Sequence, residues 1–383
     1  MKIFFSVSLL FTLTLSYGQA DGKITIGKKD SLFSKTLNEE RQLLVYLPET
    51  YSPSHRYPVV YLLDGESLFH FYTGIISHLS DSYVIPEMIV VGIANTDRTR
   101  DLTPTTDTTS NSKPNGGGEA FTAFIEKELI PYIEGHYQTA PYRMLVGHSL
   151  GGLLAVNTFL KHTSLFNSFV TLDPSLWWDY SKLNSQSEKI LKEKDFDDKS
   201  LFLAIANSMP LEMKDTIQVK RDTTNTTIGM RSVFQFRDNL SKTKEKGLRW
   251  NYKYYPSESH GSVPLISSYD AMKFIFDFYK RPSFQKMTDS TAIILENHYK
   301  MVSKRMKYTI LPPESDISGL AWRSRVLEKN FDRAYVFLQM HIRLYPENSN
   351  AYNEMGQYFE EKGDKEKAKE YFVKAKALED KKK

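Results

Sequence analysis

The clearest sign of chemistry in the sequence is a serine at a sharp turn. Residues 147–152 read Gly-His-Ser-Leu-Gly-Gly, between an apolar, strand-like run and a helix-forming run. This arrangement is typical of a nucleophile elbow, in which a serine sits on a tight turn from strand to helix. Gly147 and Gly151 leave room where the backbones crowd. The helix N-terminus also offers backbone N–H groups to developing negative charge. The pattern predicts that Ser149 is a nucleophile.

A serine hydroxyl needs an adjacent base, usually a histidine, before it can attack a carbonyl carbon. The sequence contains nine histidines. Because chains with such an elbow carry serine, acid and histidine in that order, the histidines before Ser149 are excluded. His162 lies about three helical turns from Ser149, and His298 and His341 lie beyond the last predicted strand. His260, in a polar turn after that strand, is the predicted base.

A carboxylate should orient the predicted base, and we expect it in the loop after the apolar strand at residues 201–206. We favour Glu212 for this role. Other carboxylates stay open, two in the same loop and two after the preceding strand: Asp215, Asp222, Asp173 and Asp179. A serine and a histidine could also act with only a backbone carbonyl or a water holding the imidazole.

An oxyanion hole should accompany the predicted nucleophile. Its first donor is expected to be the backbone N–H of Leu150, the residue after the serine. The second should come from the loop after the apolar run that ends at residue 63, where Gly65 allows a close approach. Gly65 and Glu66 are both candidates for that second donor.

The elements that position these residues form an α/β pattern. Residues 22–48 contain short alternating segments, which are typical of half-buried antiparallel strands. Nearly continuous apolar runs follow, as expected for strands covered on both faces, at residues 58–63, 88–93, 143–146, 168–172 and 201–206. Helical patterns lie between several of them. The sequence therefore predicts a mixed, mainly parallel sheet flanked by helices, over residues 21–285.

The C-terminal part, residues 286–383, is predicted to be a small all-α region. Residues 347–380 have the spacing of a tetratricopeptide repeat, a helix-turn-helix unit. The unit before it is degenerate, with Trp322 at the tight packing point. Because one unit cannot bury its apolar face alone, we expect it to stack on the degenerate unit and on a helix at 290–306. A simple amphipathic hairpin capping the first domain is the alternative.

Residues 1–20 are typical of a secretory signal peptide: a positive start, an apolar run and small residues that suit cleavage after Gly18 or Ala20. The apolar run is shorter than the roughly 20 residues that a membrane-spanning helix needs. We therefore expect export, to the periplasm or outside the cell, and no membrane span in the mature protein.

Composition narrows the classes of function further. Apolar residues make up 40% and charged residues 25% of the 383 residues, which is ordinary for a globular protein. The chain has no cysteine, which excludes disulfides and thiolate chemistry. A formal charge of +4 with interspersed signs lacks the basic field of a nucleic-acid binder. Nucleic acid is therefore not an expected partner.

Several motifs together resemble the putative esterase family of α/β-hydrolases, which contains esterase D and the siderophore esterases of the enterobactin type. The resemblance spans about residues 43–280, and its motifs lie at residues 57–65, 95–104, 120–133, 147–152 and 173–178. It implies hydrolysis of carboxylic esters and a pocket walled by the loop that carries Arg98 and Arg100. It also implies that Trp177 and Trp178 lie near the substrate.

The sequence thus predicts a serine esterase that acts through an acyl-enzyme on a small or medium ester, such as a siderophore or an acylated carbohydrate. No metal or cofactor is needed for this chemistry. Three alternatives stay open: an acyltransferase at the same site, a peptidase, and a scaffold protein with secondary catalysis. In the scaffold alternative a protein partner would bind the C-terminal repeat.

Overall fold

The computed structural model describes residues 24–242 and 247–381, so the predicted signal peptide lies outside the described residues. Within these ranges the strands form one eight-stranded sheet. The strands are β1 Lys28–Ser34, β2 Glu39–Tyr46, β3 Tyr57–Leu62, β4 Ile89–Ile93, β5 Thr139–His148, β6 Ser168–Leu172, β7 Ser200–Ala206 and β8 Arg249–Tyr255.

The strand order across the sheet is β1-β2-β4-β3-β5-β6-β7-β8. The pairs β1/β2 and β2/β4 are antiparallel, and all other neighbours are parallel. Every residue of β3, β4 and β6 is buried, as expected for strands covered on both faces. The predicted α/β class, with a mixed and mainly parallel sheet, is confirmed.

Helices cover both faces of the sheet and form the C-terminal region. In chain order they are α1 Gly65–Asp81, α2 Arg98–Leu102, α3 Gly118–Phe124, α4 Ile130–His136, α5 Leu150–Lys161, α6 Trp178–Glu193, α7 Thr216–Arg221, α8 Ile228–Ser241, α9 Val263–Ile275, α10 Thr291–Met306, α11 Glu314–Trp322, α12 Phe331–Leu344, α13 Ser349–Glu361 and α14 Lys365–Asp380. None of the helices in the described ranges is long and apolar enough to cross a bilayer.

Alternation along the strands divides the apolar core between the two faces of the sheet. On β3, Val59 and Tyr61 pack with α5 and α8 on one face, while Val60 and Leu62 pack with α1 and α9 on the other. Because successive side chains of a strand point to opposite faces, the same strand contributes residues to both cores.

The strand order reverses between β3 and β5, which are neighbours in the sheet. Helix α1 follows β3 onto one face, whereas α5 follows β5 onto the opposite face. The chain segments that follow β3 and β5 therefore leave the carboxyl edge of the sheet toward opposite faces, with a crevice between them. In open α/β sheets such a switch point is where ligands bind.

The C-terminal helices have a core of their own, which α10 links to the sheet. Val302 and Met306 of α10 belong to the core beside the sheet, while Leu295 and Tyr299 pack with α11, α12 and α13. The predicted repeat unit at 347–380 covers the packed pair α13 and α14. That this pair is a tetratricopeptide repeat stays a prediction.

Candidate active site

Ser149 lies in the single-residue turn between β5 and α5, as the elbow pattern predicts. Its φ of 59° and ψ of −117° place a non-glycine residue in a strained backbone region. A Cβ on Gly147 would come 2.1 Å from the carbonyl oxygen of Gly151, and one on Gly152 would come 2.9 Å from the Cα of Pro174. The glycines are therefore required by the tightness of the turn.

Backbone hydrogen bonds fix the elbow against the neighbouring strand. The Ser149 N–H donates to the carbonyl of Leu172 at 3.1 Å, and the Ser149 carbonyl accepts from the N–H of Ser175 at 2.9 Å. The Ser149 hydroxyl is 3.2 Å from the hydroxyl of Ser175. The segment after β6 therefore holds both the backbone and the hydroxyl of Ser149.

His260 lies in the loop between β8 and α9, at the same edge of the sheet. Its Nδ1 donates to Asp173 Oδ2 at 2.6 Å, and the other oxygen of Asp173 accepts from the N–H of Ala206 at 3.0 Å. Asn207 also holds the loop that carries His260, because its N–H donates to the carbonyl of Glu258 at 2.7 Å. This bond at Nδ1 leaves His260 Nε2 free to accept a proton.

The predicted orienting acid Glu212 is wrong, and Asp173 takes its place. Glu212 is exposed in the loop after β7, whereas Asp173 directly follows β6 and is buried. Because β6 pairs with β5, its carboxyl end lies nearer to the elbow than the loop after β7 does. The sequence signal for Asp173 was its place immediately after a buried strand.

His148 is a site residue that sequence reasoning did not single out. Its Nε2 donates to the carbonyl of His260 at 2.8 Å, because a carbonyl oxygen can only accept. The two imidazole rings are 4.5 Å apart, centre to centre. Burial lowers the pKa of His148 below its ordinary value, and the nearby His260 lowers it further. A neutral His148 therefore holds the loop that carries His260.

The predicted nucleophile and base share one edge of the sheet, with their side chains held by different partners. Asp173 binds the ring of His260 and is two residues from Ser175, which binds the Ser149 hydroxyl. Within the described ranges no hydrogen bond joins Ser149 to His260. Catalytic hydrogen bonds are often long without substrate and shorten when it binds.

The predicted oxyanion donors lie in the first turns of α5 and α1. Leu150 is the first residue of α5, and Gly65 and Glu66 are the first two of α1. The N–H groups of a first helical turn have no partner inside their helix. A Cβ on Gly65 would come 2.6 Å from the backbone of Gly92 on β4, so α1 starts tightly against the sheet. The donor assignments stay predictions.

Arg98 lies beside this crevice, in ionic contact with Asp64. Its Nε donates to Asp64 Oδ1 at 2.7 Å, and a terminal nitrogen donates to Oδ2 at 2.9 Å. Asn95 also donates to Asp64 Oδ1, at 2.7 Å. The Asp64 side chain is 6% exposed and that of Arg98 38%. The guanidinium of Arg98 is engaged with a protein carboxylate, and the substrate wall expected from this loop stays a prediction.

Arg100 and Trp178 are both engaged with other parts of the protein, and their predicted substrate contacts stay predictions. The Arg100 guanidinium binds both oxygens of Glu39 and also Asp101. Trp178 is 5% exposed in the core, and its indole N–H donates to the carbonyl of Thr105 at 2.9 Å. Both side chains therefore hold loops in place through these hydrogen bonds. Trp177 is 40% exposed, so its predicted substrate contact stays open.

The arrangement supplies a hydroxyl, an imidazole held by a buried carboxylate, and two helix N-termini at one crevice. These are the parts that acyl transfer through a serine requires. Among residues 24–242 and 247–381, no three histidine, aspartate or glutamate side chains come together as metal ligands.

Comparison with known proteins agrees with this chemistry. The model of the family described as putative esterase matches residues 34–261. The ferri-bacillibactin esterase BesA of Bacillus subtilis is 27% identical over 282 residues, which cover 67% of this chain and 92% of that protein. The apo-salmochelin esterase of Escherichia coli is 25% identical over 232 residues, which cover 57% of this chain and 69% of that protein.

Solved structures share the fold as well. An IroE-like serine hydrolase from Shewanella oneidensis is 32% identical, with a TM-score of 0.69, and the match covers 83% of this chain and 99% of that one. An uncharacterised protein from Capnocytophaga ochracea has a TM-score of 0.68 at 19% identity, and the match covers 91% of this chain and 93% of that one. The second likeness concerns the fold alone.

Proposed function

This chain belongs to the putative esterase family, and from that premise we propose that it is a serine carboxylic-ester hydrolase that works through an acyl-enzyme. The observation that carries the proposal is the 2.6 Å bond between His260 Nδ1 and Asp173 beside the Ser149 elbow. This bond fixes the tautomer in which Nε2 is the basic nitrogen. Ser149 is the nucleophile and His260 the base.

The proposed reaction begins when Ser149 Oγ attacks the ester carbonyl carbon and its proton passes to His260 Nε2. The carbonyl oxygen becomes an oxyanion, which the N–H of Leu150 and that of Gly65 or Glu66 stabilise. When the intermediate collapses, the alcohol leaves with the proton from His260, and the acyl group stays on Ser149. A water molecule, activated by His260, then attacks the acyl-enzyme in the same way and releases the acid.

A rotation of the Ser149 hydroxyl precedes the attack in this proposal. The hydroxyl rests 3.2 Å from Ser175 Oγ and has to turn toward His260 Nε2. A serine side chain moves between staggered wells of χ1, and this rotation is the movement that the proposal requires. Substrate in the crevice would favour the turned state by displacing the hydroxyl from Ser175.

Siderophore esters are the first substrates that we propose, because two relatives are named for siderophore esters. Acylated carbohydrates are the second. The exposed part of Trp177 offers either substrate a flat apolar surface. A panel of catecholate siderophores, feruloyl esters and acetylated sugars, with product analysis, distinguishes these classes.

The acyltransferase alternative uses the same acyl-enzyme, with a sugar or another alcohol replacing water. Product analysis with added acceptor alcohols separates the two activities: a hydrolase releases free acid, and a transferase forms a new ester.

A binding role for the C-terminal helices is a second candidate function. We propose that they act as tetratricopeptide-like repeats, supported by apolar side chains that they leave exposed: Trp322, Leu327 and Val373. Pull-downs with the full chain and with a variant lacking these side chains would detect a protein partner.

We also propose that residues 1–20 are removed on export, on the basis of their apolar run and small residues. Mass spectrometry of the protein recovered from the periplasm or medium should give a mature N-terminus after Gly18 or Ala20. Retention of residues 1–20 on a cytoplasmic product would contradict export.

The proposed hydrolysis is tested with the purified mature chain and p-nitrophenyl butyrate. Replacement of Ser149 by alanine should lower turnover by about six decades, since the nucleophile and base act as one unit. Ser185→Ala, an exposed serine on α6, is the matched control and should leave turnover unchanged. A Ser149→Ala variant with activity near that of the natural protein would contradict the proposal.

A further inference from the structure

A cavity with a volume of about 890 Å³ lies at the junction between the α/β domain and the C-terminal helices. Its walls include the loops before β3 and β4, the segment after α9 and the segment between α10 and α11. Because β3 and β4 run parallel to β5, their first residues lie at the edge of the sheet opposite the Ser149 elbow. This junction cavity is therefore separate from the candidate active site. Small-molecule sites of roughly 300–1,000 Å³ are frequent at domain junctions.

Tyrosine is the most frequent side chain in the walls of the junction cavity. The α/β domain and the C-terminal helices contribute three tyrosines each: Tyr57, Tyr83, Tyr279, Tyr299, Tyr308 and Tyr345. A tyrosine ring combines a flat apolar face with a hydroxyl that both donates and accepts hydrogen bonds. The walls therefore offer a ligand apolar faces and polar groups side by side.

Three of these hydroxyls are available to a ligand. Within residues 24–242 and 247–381, the hydroxyls of Tyr279, Tyr299 and Tyr308 make no hydrogen bond. Burial raises the pKa of Tyr279 to about 12 and raises the pKa values of the other two as well, so all three stay protonated at neutral pH. A hydroxyl that is withdrawn from water without a partner loses hydrogen-bond energy, which a bound ligand restores.

The charged side chains that line the junction cavity balance each other. With histidine counted as neutral, two are positive and two are negative: Arg56, Arg281, Asp81 and Glu87. Arg281 is already paired with the buried Asp316 of α11, at 2.9 Å. A site for a strongly charged ligand carries an excess of the opposite sign. The lining therefore favours a neutral ligand.

Hydrogen bonds fix the wall that carries Tyr308. The Ser303 hydroxyl of α10 accepts from the N–H of Ile310 at 2.9 Å and is 2.7 Å from the carbonyl of Tyr299, to which it donates. Beyond this segment the Tyr345 hydroxyl donates to the carbonyl of Pro312 at 2.7 Å. Because these walls are ordered without a ligand, binding requires little further loss of conformational entropy.

We propose that the junction cavity is a carbohydrate-binding site, which holds a short neutral oligosaccharide. The C–H faces of sugar rings pack on aromatic rings, whose faces are electron-rich. Sugar hydroxyls bond to the three unpaired phenol hydroxyls, as donors or acceptors. The proposal goes beyond the hydrolysis proposed above and does not depend on it. Since both regions of the chain supply walls, the C-terminal helices are required for this binding.

Titration calorimetry of the full mature chain with neutral trisaccharides tests the proposal. The probes are cellotriose, xylotriose, mannotriose and chitotriose, with 4-hydroxybenzoate as an anionic aromatic comparison. We expect saturable binding of at least one trisaccharide with a Kd of about 1 mM or lower. No saturable binding of any of the four would overturn the proposal. Tighter binding of 4-hydroxybenzoate than of every sugar would also overturn it, since the cavity would then be a site for aromatic acids.

A double variant, Tyr299→Phe with Tyr308→Phe, places the binding in the junction cavity. It keeps both rings and removes two hydroxyls without partners, so Tm and turnover of p-nitrophenyl butyrate should stay unchanged. Kd for the bound trisaccharide should rise about tenfold or more, the effect of two lost hydrogen bonds. Tyr252→Phe, on β8 outside the cavity, is the matched control and should leave Kd unchanged. An unchanged Kd in the double variant would overturn the proposal.

Amide hydrogen exchange of the unsubstituted chain decides the question alone if the double variant does not fold. Saturating trisaccharide should slow exchange in the cavity walls at residues 279–281 and 308–311. Slower exchange confined to the loops that carry Ser149 and His260 would place the sugar in the candidate active site and overturn the proposal. None of these binding measurements uses the nucleophile, so an active Ser149→Ala variant would overturn the esterase mechanism and leave this proposal standing.

Discussion

At the scale of single residues, Asp173 connects the chain segments that carry the nucleophile and the base. Its backbone N–H donates to the carbonyl of Ala204 on β7 at 3.0 Å. One carboxylate oxygen accepts from Ala206 and the other from His260. A carboxylate held by a backbone N–H at one oxygen presents the other in a fixed direction. Asp173 is therefore placed to set the orientation and the tautomer of His260.

Replacement of Asp173 by asparagine tests this role. We expect kcat to fall by about three to four decades with p-nitrophenyl butyrate, because an amide in this position favours the wrong imidazole tautomer. The protein should stay folded by circular dichroism. Glu212→Gln is the matched control and should retain full turnover. A larger loss for Glu212→Gln than for Asp173→Asn would show that the acid is Glu212.

Single residues differ in how far the sequence predicts them, and the difference has a physical cause. The elbow at Ser149 is local, so its glycines and flanking elements are visible in a short stretch. Asp173 depends on which strands are neighbours, which no local pattern shows. The same holds for Arg100, whose partner Glu39 lies on β2, far away in sequence.

At the scale of elements, close packing joins the last two helices. A Cβ on Gly356 of α13 would come 2.5 Å from the ring of Phe372 on α14. The two helices therefore approach each other where α13 has no side chain. The sequence pattern predicted this pair of helices correctly, because small and aromatic residues recur at the spacing of a helix-turn-helix unit.

Substitution of Gly356 by alanine should loosen this pair. The added methyl group overlaps the ring of Phe372, and we expect a loss of about 1–3 kcal/mol in the free energy of unfolding of this region. Amide hydrogen exchange should become faster in α13 and α14, with esterase turnover unchanged. Gly319→Ala is the control: beyond its chain neighbours and the backbone of its own helix, no described atom lies within 4 Å of its added Cβ, so helix propensity should make α11 slightly more stable. Equal exchange rates in both variants would contradict the close approach.

A second element-scale prediction concerns the contact between α12 and α13. Burial opposes the ionisation of Glu354, but hydrogen bonds from His341 and Ser318 outweigh it and lower the pKa of Glu354 below 4.5. A lowered carboxyl pKa adds stability at pH values above the unfolded pKa, and this stability is lost as the pH falls through the folded-state pKa. Glu354→Gln should therefore lower Tm near pH 7, and the difference in Tm should shrink below about pH 4.5.

Thermal unfolding of both proteins between pH 3 and 7 measures this effect. Glu379→Gln, at an exposed carboxylate on α14, should show no such pH-dependent difference. A Tm difference for Glu354→Gln that stays constant down to pH 3 would contradict the lowered pKa.

At the scale of the whole molecule, α10 connects the α/β domain to the C-terminal helices. One of its faces belongs to the core beside the sheet and another to the helical core. An ion pair between Arg281 and Asp316, at 2.9 Å, crosses the same junction. The sequence predicted two regions from their different patterns. The sequence could not predict that α10 belongs to both cores. Its apolar residues recur at helical spacing all along the helix, and nothing in that spacing shows which of them pack beside the sheet and which pack with the C-terminal helices.

Deletion of the residues after Leu311 tests how far the regions depend on each other. The deletion uncovers Leu295 and Tyr299, which are 1% and 5% exposed in the full chain. We expect a lower Tm and binding of a hydrophobic dye, because apolar surface of this kind is stabilising only when covered. A truncated protein with the Tm of the full chain and no dye binding would show that the C-terminal helices are an independent unit.

The most direct test of the central claim is to trap the covalent intermediate. The protein is mixed with p-nitrophenyl butyrate, quenched in acid within the first turnovers, digested and analysed by mass spectrometry. We predict a butyryl group on the peptide that contains Ser149, assigned to the serine itself, and no such label in Ser149→Ala. Rapid hydrolysis with no label on Ser149, or a label on another residue that persists in Ser149→Ala, would contradict the account.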